Sequence, residues 1–358
     1  MRKYIFRTSV ILGWTSLIMG VLYLPKLPVI ASESKTINIF AWGDILDPEI
    51  ISKFEKETGI KVRVSYYASN EELIVKMKAT RGEGYDLIIP SDYAVNILIQ
   101  DNLLKPIKKD KLAFWNEINT NLLGHNFDPT NKFSIPLEWE LFGFGIDKRY
   151  FADKKFDPSW KLIFDKSSID YKISMTNDPI EAMSFASFYL NGNPNPVNTT
   201  QAEDIKNLLI EQKNWVEAYA NFRGDYFLAT GNCPVVVASS SYIWKTMRQF
   251  PFVSFVTPKE GTFIAIENIA IPAATKNENI TYQFINYLFR HESVISQFQK
   301  YGFFPSTLHS IKDLEIDPAA EKFIEATGEQ FDKYHFIEEV MSQQMIHEIW
   351  VDVKSSSY

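Results

Sequence analysis

Cysteine is almost missing from this 358-residue chain: Cys233 stands alone. One cysteine excludes an intrachain disulfide and leaves no thiol at the expected processing site to carry a lipid. Cys233 opens an apolar strand and reads as a small core residue. Histidine is scarce too. His125, His291, His309, His335 and His347 lie scattered, without the spacing of metal ligands, so no metal site is expected. There is no Gly-x-Ser-x-Gly elbow, no phosphate-cradling Gly-Lys-Ser loop and no His-Glu-x-x-His pair. A secreted hydrolase would have to work with aspartate and glutamate alone, and it remains a distant alternative. The expectation is therefore a protein without catalysis and without a cofactor. Internal repeats and low-complexity tracts are also lacking.

Positive charge is in short supply. Lys and Arg number 37 against 44 Asp and Glu, a net charge of −7. Four of the basic residues (Arg2, Lys3, Arg7 and Lys26) fall in the first 31 positions, which hold no acidic residue. Those positions read as a signal peptide: a basic start, an apolar run from Val10 to Leu24, then Val29-Ile30-Ala31 before the polar Ser32-Glu33-Ser34. The run is short for a membrane span of about 20 residues. Cleavage near Ala31 is expected, leaving an extracytoplasmic chain of net charge −11. Such a surface repels nucleic acid and favours cationic partners.

What is present is globular. Hydrophobic residues make up 46% and charged residues 23%, and the length is that of two lobes. The mature chain opens on a β-α-β-α-β-α alternation. Thr36–Phe40 is a strand; Asp47-Pro48 caps a helix with its stripe at Ile50, Ile51 and Phe54; Gly59 ends that helix. Ile60, Val62, Val64 and Tyr66 alternate as a strand, Ser69 and Glu72 have capping spacing, and Tyr85–Ile89 is a buried strand before Ser91. This pattern predicts a parallel sheet flanked by helices. Its ligand crevice would lie at the carboxyl ends of the strands, at Ala41-Trp42-Gly43-Asp44 and Ser91-Asp92-Tyr93. A second unit follows. Leu141–Ile146 is a glycine-punctuated run able to cross between lobes, Lys172–Met175 is a strand, and Thr176-Asn177-Asp178-Pro179 opens a helix through Glu181. Ala202–Tyr219 is amphipathic, Pro234–Ala238 is a strand stopping at Ser239-Ser240-Ser241, and Ile264–Ile271 carries Glu267 inside an apolar strand. Tyr282–Phe289 and Ala319–Ala326 read as helices. A carboxylate buried without a partner is costly, so Glu267 belongs at a cleft edge or beside a cation.

With these pieces in order, the chain resembles the bacterial periplasmic spermidine/putrescine-binding proteins of polyamine ABC transporters. Phe40–Asp44, Phe54–Ile60, Tyr85–Ser91, Ser134–Pro136, Pro258–Gly261 and Ile269–Pro272 carry the likeness over nearly the whole mature chain. The resemblance implies a type II two-lobed α/β fold, each lobe a mixed, mainly parallel sheet with helices, closing on a ligand between them. Residues 34–141 with 264–308 would form one lobe, and 142–263 with 309–358 the other. It further implies a periplasmic, monomeric protein that serves a permease and its ATPase.

The family holds amines with carboxylates and packs aromatic rings on the methylene chain. Matched residue by residue, Trp42 takes the place of a stacking tryptophan and Asp44 an acidic place beside it. Ser91 and Tyr93 follow the third strand, Asp178 and Glu181 open a helix of the second lobe, and Glu267 stands where the family has an aspartate. Departures concern the aromatic box: Ser239 and Ala265 replace tryptophans, Phe303 and Ile45 replace tyrosines, and Phe336 falls near a glutamine. Trp139, Tyr242 and Trp244 are candidates to restore lost ring surface. The guest expected is thus spermidine, putrescine or, as the alternative, another small cation such as a thiamine-like compound or an amine-bearing amino acid derivative.

Overall fold

The computed structural model describes residues 35–154, 156–220, 224–307 and 331–356, together with positions 12–15 and 18. The expected cleavage site and the expected helix at Ala319–Ala326 lie outside the described residues.

The alternation foreseen at the start of the chain is present. β1 (Thr36–Trp42) leads to α1 (Pro48–Thr58), β2 (Lys61–Tyr67), α2 (Asn70–Thr80), β3 (Leu87–Ile88) and α3 (Asp92–Gln100). The ends of these helices follow from local chemistry. Asp47 accepts the Glu49 N–H at the start of α1, and Gly59 closes it at φ 71°, a conformation that suits a residue without Cβ. Ser69 accepts the Glu72 N–H at the start of α2. β1 pairs parallel with both β2 and β3. Side chains on β1 alternate between faces: Ile37, Ile39 and Ala41 enter one core and Phe40 another, so helices cover both sides of the sheet.

Two long strands join this unit to the next. β4 (Ser134–Asp147) pairs antiparallel with β9 (Thr262–Ala270) through Ser134–Leu141. From Phe142 onward it changes partners and pairs with β7 (Val235–Ser239) and β8 (Val253–Val256). The second sheet is completed by β5 (Ile173–Met175), which pairs parallel with β7 and with β6 (Val216–Tyr219). The longer helices of this half include α4 (Pro179–Asn191), α5 (Thr199–Gln212) and α6 (Ser240–Gln249). α7 (Glu278–Leu288) and α8 (His291–Tyr301) return to the first half, and β10 (Phe304–Pro305) and β11 (Tyr334–Phe336) add to β4 and β9. α9 (Gln343–Ser355) packs its Ile346, Ile349 and Val353 into the second core. The amphipathic stretch from Ala202 to Tyr219 is thus not one element: it is helix to Gln212 and strand from Val216, because parallel pairing with β5 captures its end.

The fold is that of a two-lobed periplasmic binding protein, with parallel strands in each lobe, antiparallel β9 and β4 completing the first sheet and β4 with β8 the second. Among the described residues no helix is long and apolar enough to cross a membrane.

Candidate functional site

Parallel strands aim their carboxyl ends at one side of a sheet, and ligands settle there. Both lobes obey this rule toward the same space. β1 ends at Trp42, β3 runs into Ser91, β5 into Thr176 and Asp178, and β7 ends at Ser239; all five residues line one cavity of about 570 Å³. All nine residues expected from sequence (Trp42, Asp44, Ser91, Tyr93, Asp178, Glu181, Ser239, Glu267 and Phe303) line it as well.

The lobe-one side is wired around Glu267. Its Oε1 accepts the Ser91 hydroxyl at 2.7 Å, and its Oε2 accepts the Trp42 indole N–H at 3.0 Å. Ser91 in turn accepts from Asn70 Nδ2 at 3.0 Å. Ser91 therefore does not cap α3 with its side chain; it serves Glu267 instead. Both donors to Glu267 are neutral, and the carboxylate is 7% exposed. Burial accordingly pushes its pKa up to about 8, against the lowering effect of the two hydrogen bonds. Trp42 is held edge-on by that bond, with its ring tilted 52° against Tyr67 at 4.7 Å. Asp44 sits in the turn after β1 at φ 59°, a left-handed conformation that aspartate tolerates, and is exposed at the cavity rim.

The lobe-two side is wired around the start of α4. Asp178 Oδ1 accepts the backbone N–H groups of Ile180 and Glu181 at 2.8 and 3.1 Å. Asp178 is therefore a helix cap and a cavity residue at once. Glu181 is half-buried and accepts the Thr176 hydroxyl at 2.5 Å. Burial raises the pKa of both carboxyls, and the charge of Asp178 raises Glu181 further. Tyr93, from α3, donates its hydroxyl to Glu71 at 2.8 Å, and the Glu71 charge also acts on Asp178.

Of the other lining residues, Tyr67, Glu71, Glu140 and Phe142 were missed by the sequence reading, whereas Asp92 lies in the expected crevice segment and Tyr242 was a candidate ring. Tyr67 is 4% exposed and its hydroxyl donates to the Ile89 carbonyl, whereas Tyr66, expected on the half-buried face of β2, is 53% exposed. Asp92, buried beside the Ile266 N–H at 3.0 Å, has its pKa pushed up to about 7 by burial. Glu71, Glu140, Phe142 and Tyr242 also line the wall. Glu140 was open to the argument made for Glu267, since it too is a carboxylate in an apolar strand. Of the rings considered as replacements, Tyr242 lines the cavity. Trp139 is buried with its indole N–H on the Pro305 carbonyl, and Trp244 packs on Phe298. Phe336 packs on His125 at 4.7 Å, away from the lining.

The wall thus carries seven carboxylates, Asp44, Glu71, Asp92, Glu140, Asp178, Glu181 and Glu267, and among the described residues no Lys, Arg or His. Among the described residues no group of three or more His, Cys, Asp or Glu is placed to hold a metal ion. The fold and this cleft define the class of a two-lobed receptor for a small solute.

A model of the bacterial extracellular solute-binding proteins matches residues 49–322, and the chain belongs to that family. It is 30% identical over 302 residues to the putrescine-binding periplasmic protein PotF of Escherichia coli K12, covering 78% of this chain and 80% of PotF. It is 27% identical over 334 residues to the spermidine/putrescine-binding periplasmic protein of the same organism, covering 92% and 94% of the two chains. Its fold is similar to that of a spermidine/putrescine ABC transporter protein from Listeria monocytogenes, with a TM-score of 0.79, 26% identity, and coverage of 90% and 99%.

Proposed function

We propose that this protein is the extracytoplasmic solute receptor of an ABC importer and that its solute is a polyamine, spermidine or putrescine. The observation that carries the reading is the cleft wall: seven carboxylates with no basic residue facing them among the described residues. A solute must supply the missing positive charge. Hydrogen bonds to charged groups contribute about 1.5–3 kcal/mol each, and each buried methylene about 0.8 kcal/mol. Several such terms exceed the roughly 8 kcal/mol of a micromolar site and leave room for ordering and closure.

In this reading Asp178 and Glu181 hold one end of the guest, Glu267 and Asp44 the other, and Trp42, Tyr93 and Phe303 wall the chain between. Ser239 leaves space where a larger side chain would narrow the cleft. The lobes divide as 34–141 with 264–308 and 142–263 with 309–358; the change of partners in β4 between Leu141 and Phe142 supports the first of these limits. The protein works as a monomer, without catalysis or cofactor, after cleavage near Ala31. It delivers its cargo to a permease driven by an ATPase.

A solute that binds only the folded form raises the melting temperature with concentration. Spermidine or putrescine should therefore raise it, by an amount set by about 2.7 kcal/mol at a hundred times Kd. No rise at millimolar polyamine, beside a rise with thiamine or a basic amino acid derivative, would replace polyamine with that other cation.

A further inference from the structure

The floor of the cleft carries a carboxylate to which the family likeness gives no part. Glu140 lies on β4 one residue before Leu141, the last position of β4 paired with β9. Its antiparallel partner is Ala265, and directly opposed side chains share a face. That neighbour offers only a methyl group, so nothing bulky from β9 covers Glu140. From the other lobe come two more small residues. Ser241 donates its hydroxyl to Glu140 Oε2 at 2.5 Å, and Ser239 Oγ lies 3.1 Å from Ser241 Oγ. Glu140 is 9% exposed, and what remains open faces the cavity. Among the described residues no ion pair reaches it. The nearby cation, Lys245, lies over the rings of Tyr242 and Tyr301 at 5.5 and 5.3 Å. Burial, the largest effect, opposes ionised Glu140, while the hydrogen bonds from Ser241 and Ser239 and the charge of Lys245 favour it.

The position is central. The charge of Glu140 acts on Glu267 on one side and on Glu181 on the other. The cleft therefore has acid at both ends and a third acid between them, set in a clearing of serine and alanine. We propose that Glu140 is a third cation station, selecting linear guests with a positive group in mid-chain: triamines over diamines. The inference rests on the cationic-guest reading above. A diamine lays methylenes along a desolvated carboxylate and leaves it unpaired; the secondary ammonium of a triamine meets it.

The test is calorimetric titration of putrescine and spermidine into the wild type, Glu140→Gln and Glu140→Asp. The glutamine keeps an oxygen for Ser241 and removes the charge. The wild type should bind spermidine at least about tenfold more tightly than putrescine. In Glu140→Gln that ratio should collapse toward one, because spermidine loses far more affinity than putrescine. Glu140→Asp, which keeps the charge on a shorter arm, should retain the order with a reduced ratio, and it serves if the glutamine variant does not fold. An undiminished ratio in either variant, or equal weakening of both amines in Glu140→Gln, overturns the proposal. A wild type that binds both amines alike sinks it while leaving the polyamine reading intact; a wild type that binds neither sinks both.

Discussion

Glu267 sets the chemistry of the cleft at the scale of one residue. Burial holds its acid at a pKa of about 8, against the lowering effect of the hydrogen bonds from Ser91 and Trp42 and far above the ordinary carboxylate value near 4.5. The sign of the consequence is fixed. The folded state binds this proton more tightly than the unfolded chain, so its contribution to stability is full below about pH 4.5. That contribution is lost as the pH climbs to about 8. The ligand-free protein should accordingly melt lower at pH 8 than at pH 5. An ammonium guest reverses the preference, because it favours the ionised acid. Binding at pH 7 should therefore release protons. Titrations in phosphate and in Tris should give heats that differ in proportion to the ionisation enthalpies of the buffers, and identical heats would contradict the linkage. Glu267→Gln should weaken polyamine binding by about 1.5–3 kcal/mol, a factor of roughly 10 to 150. The same variant should flatten the fall in melting temperature between pH 5 and pH 8; a variant that binds like the wild type would remove Glu267 from the site.

Among the elements, β4 matters most, since one strand serves two sheets. Its apolar run with glycines was legible in the sequence as a crossing segment, and the reason for the glycines is now visible. A Cβ on Gly143 would lie 2.6 Å from the Val256 carbonyl oxygen and 2.7 Å from the Phe255 ring. Gly143→Ala should thus destabilise folding by about 1–3 kcal/mol, read as a lower denaturation midpoint in urea; an unchanged midpoint would mean that β8 yields freely. The helix caps were equally legible. Asp47-Pro48, Gly59 and Asp178-Pro179 are short-range chemistry, and each does locally what its residue types dictate. Long-range effects were less visible. Nothing local in Val216–Tyr219 announces a strand, because its pairing partner lies some forty residues earlier in β5. Tyr67 was overlooked for a related reason: the alternation of β2 assigns Tyr66 to the half-buried face, while only the neighbouring strand reveals the carbonyl that draws Tyr67 inward. Glu140 escaped because its place on the cleft floor depends on β9 and the serines after β7, which lie more than ninety residues further along the chain.

For the whole molecule the decisive feature is the sign of charge on both walls. Glu71, Asp92 and Glu267 come from one side of the cleft, Asp178 and Glu181 from the other, and Glu140 from the strand that joins them. Carboxylates that stay ionised oppose approach of the lobes: burial raises the pKa of Asp178, and the charge of Glu71 across the cleft raises it further. A multivalent cation changes that repulsion into attraction from both sides, so ligand binding and lobe closure become one event. Saturating polyamine should therefore reduce the radius of gyration measured by small-angle scattering. Because the attraction is ionic, affinity should fall as salt rises from 0.05 to 1 M, over which the screening length shrinks to about 3 Å. Buried contacts are screened less than exposed ones, so the exposed Asp44 should account for more of this salt dependence than Glu267. Asp44→Asn should flatten the salt response more than it lowers affinity at high salt. Calorimetrically proven binding with an unchanged radius of gyration would separate capture from closure and leave the opposing carboxylates to act on the solute alone.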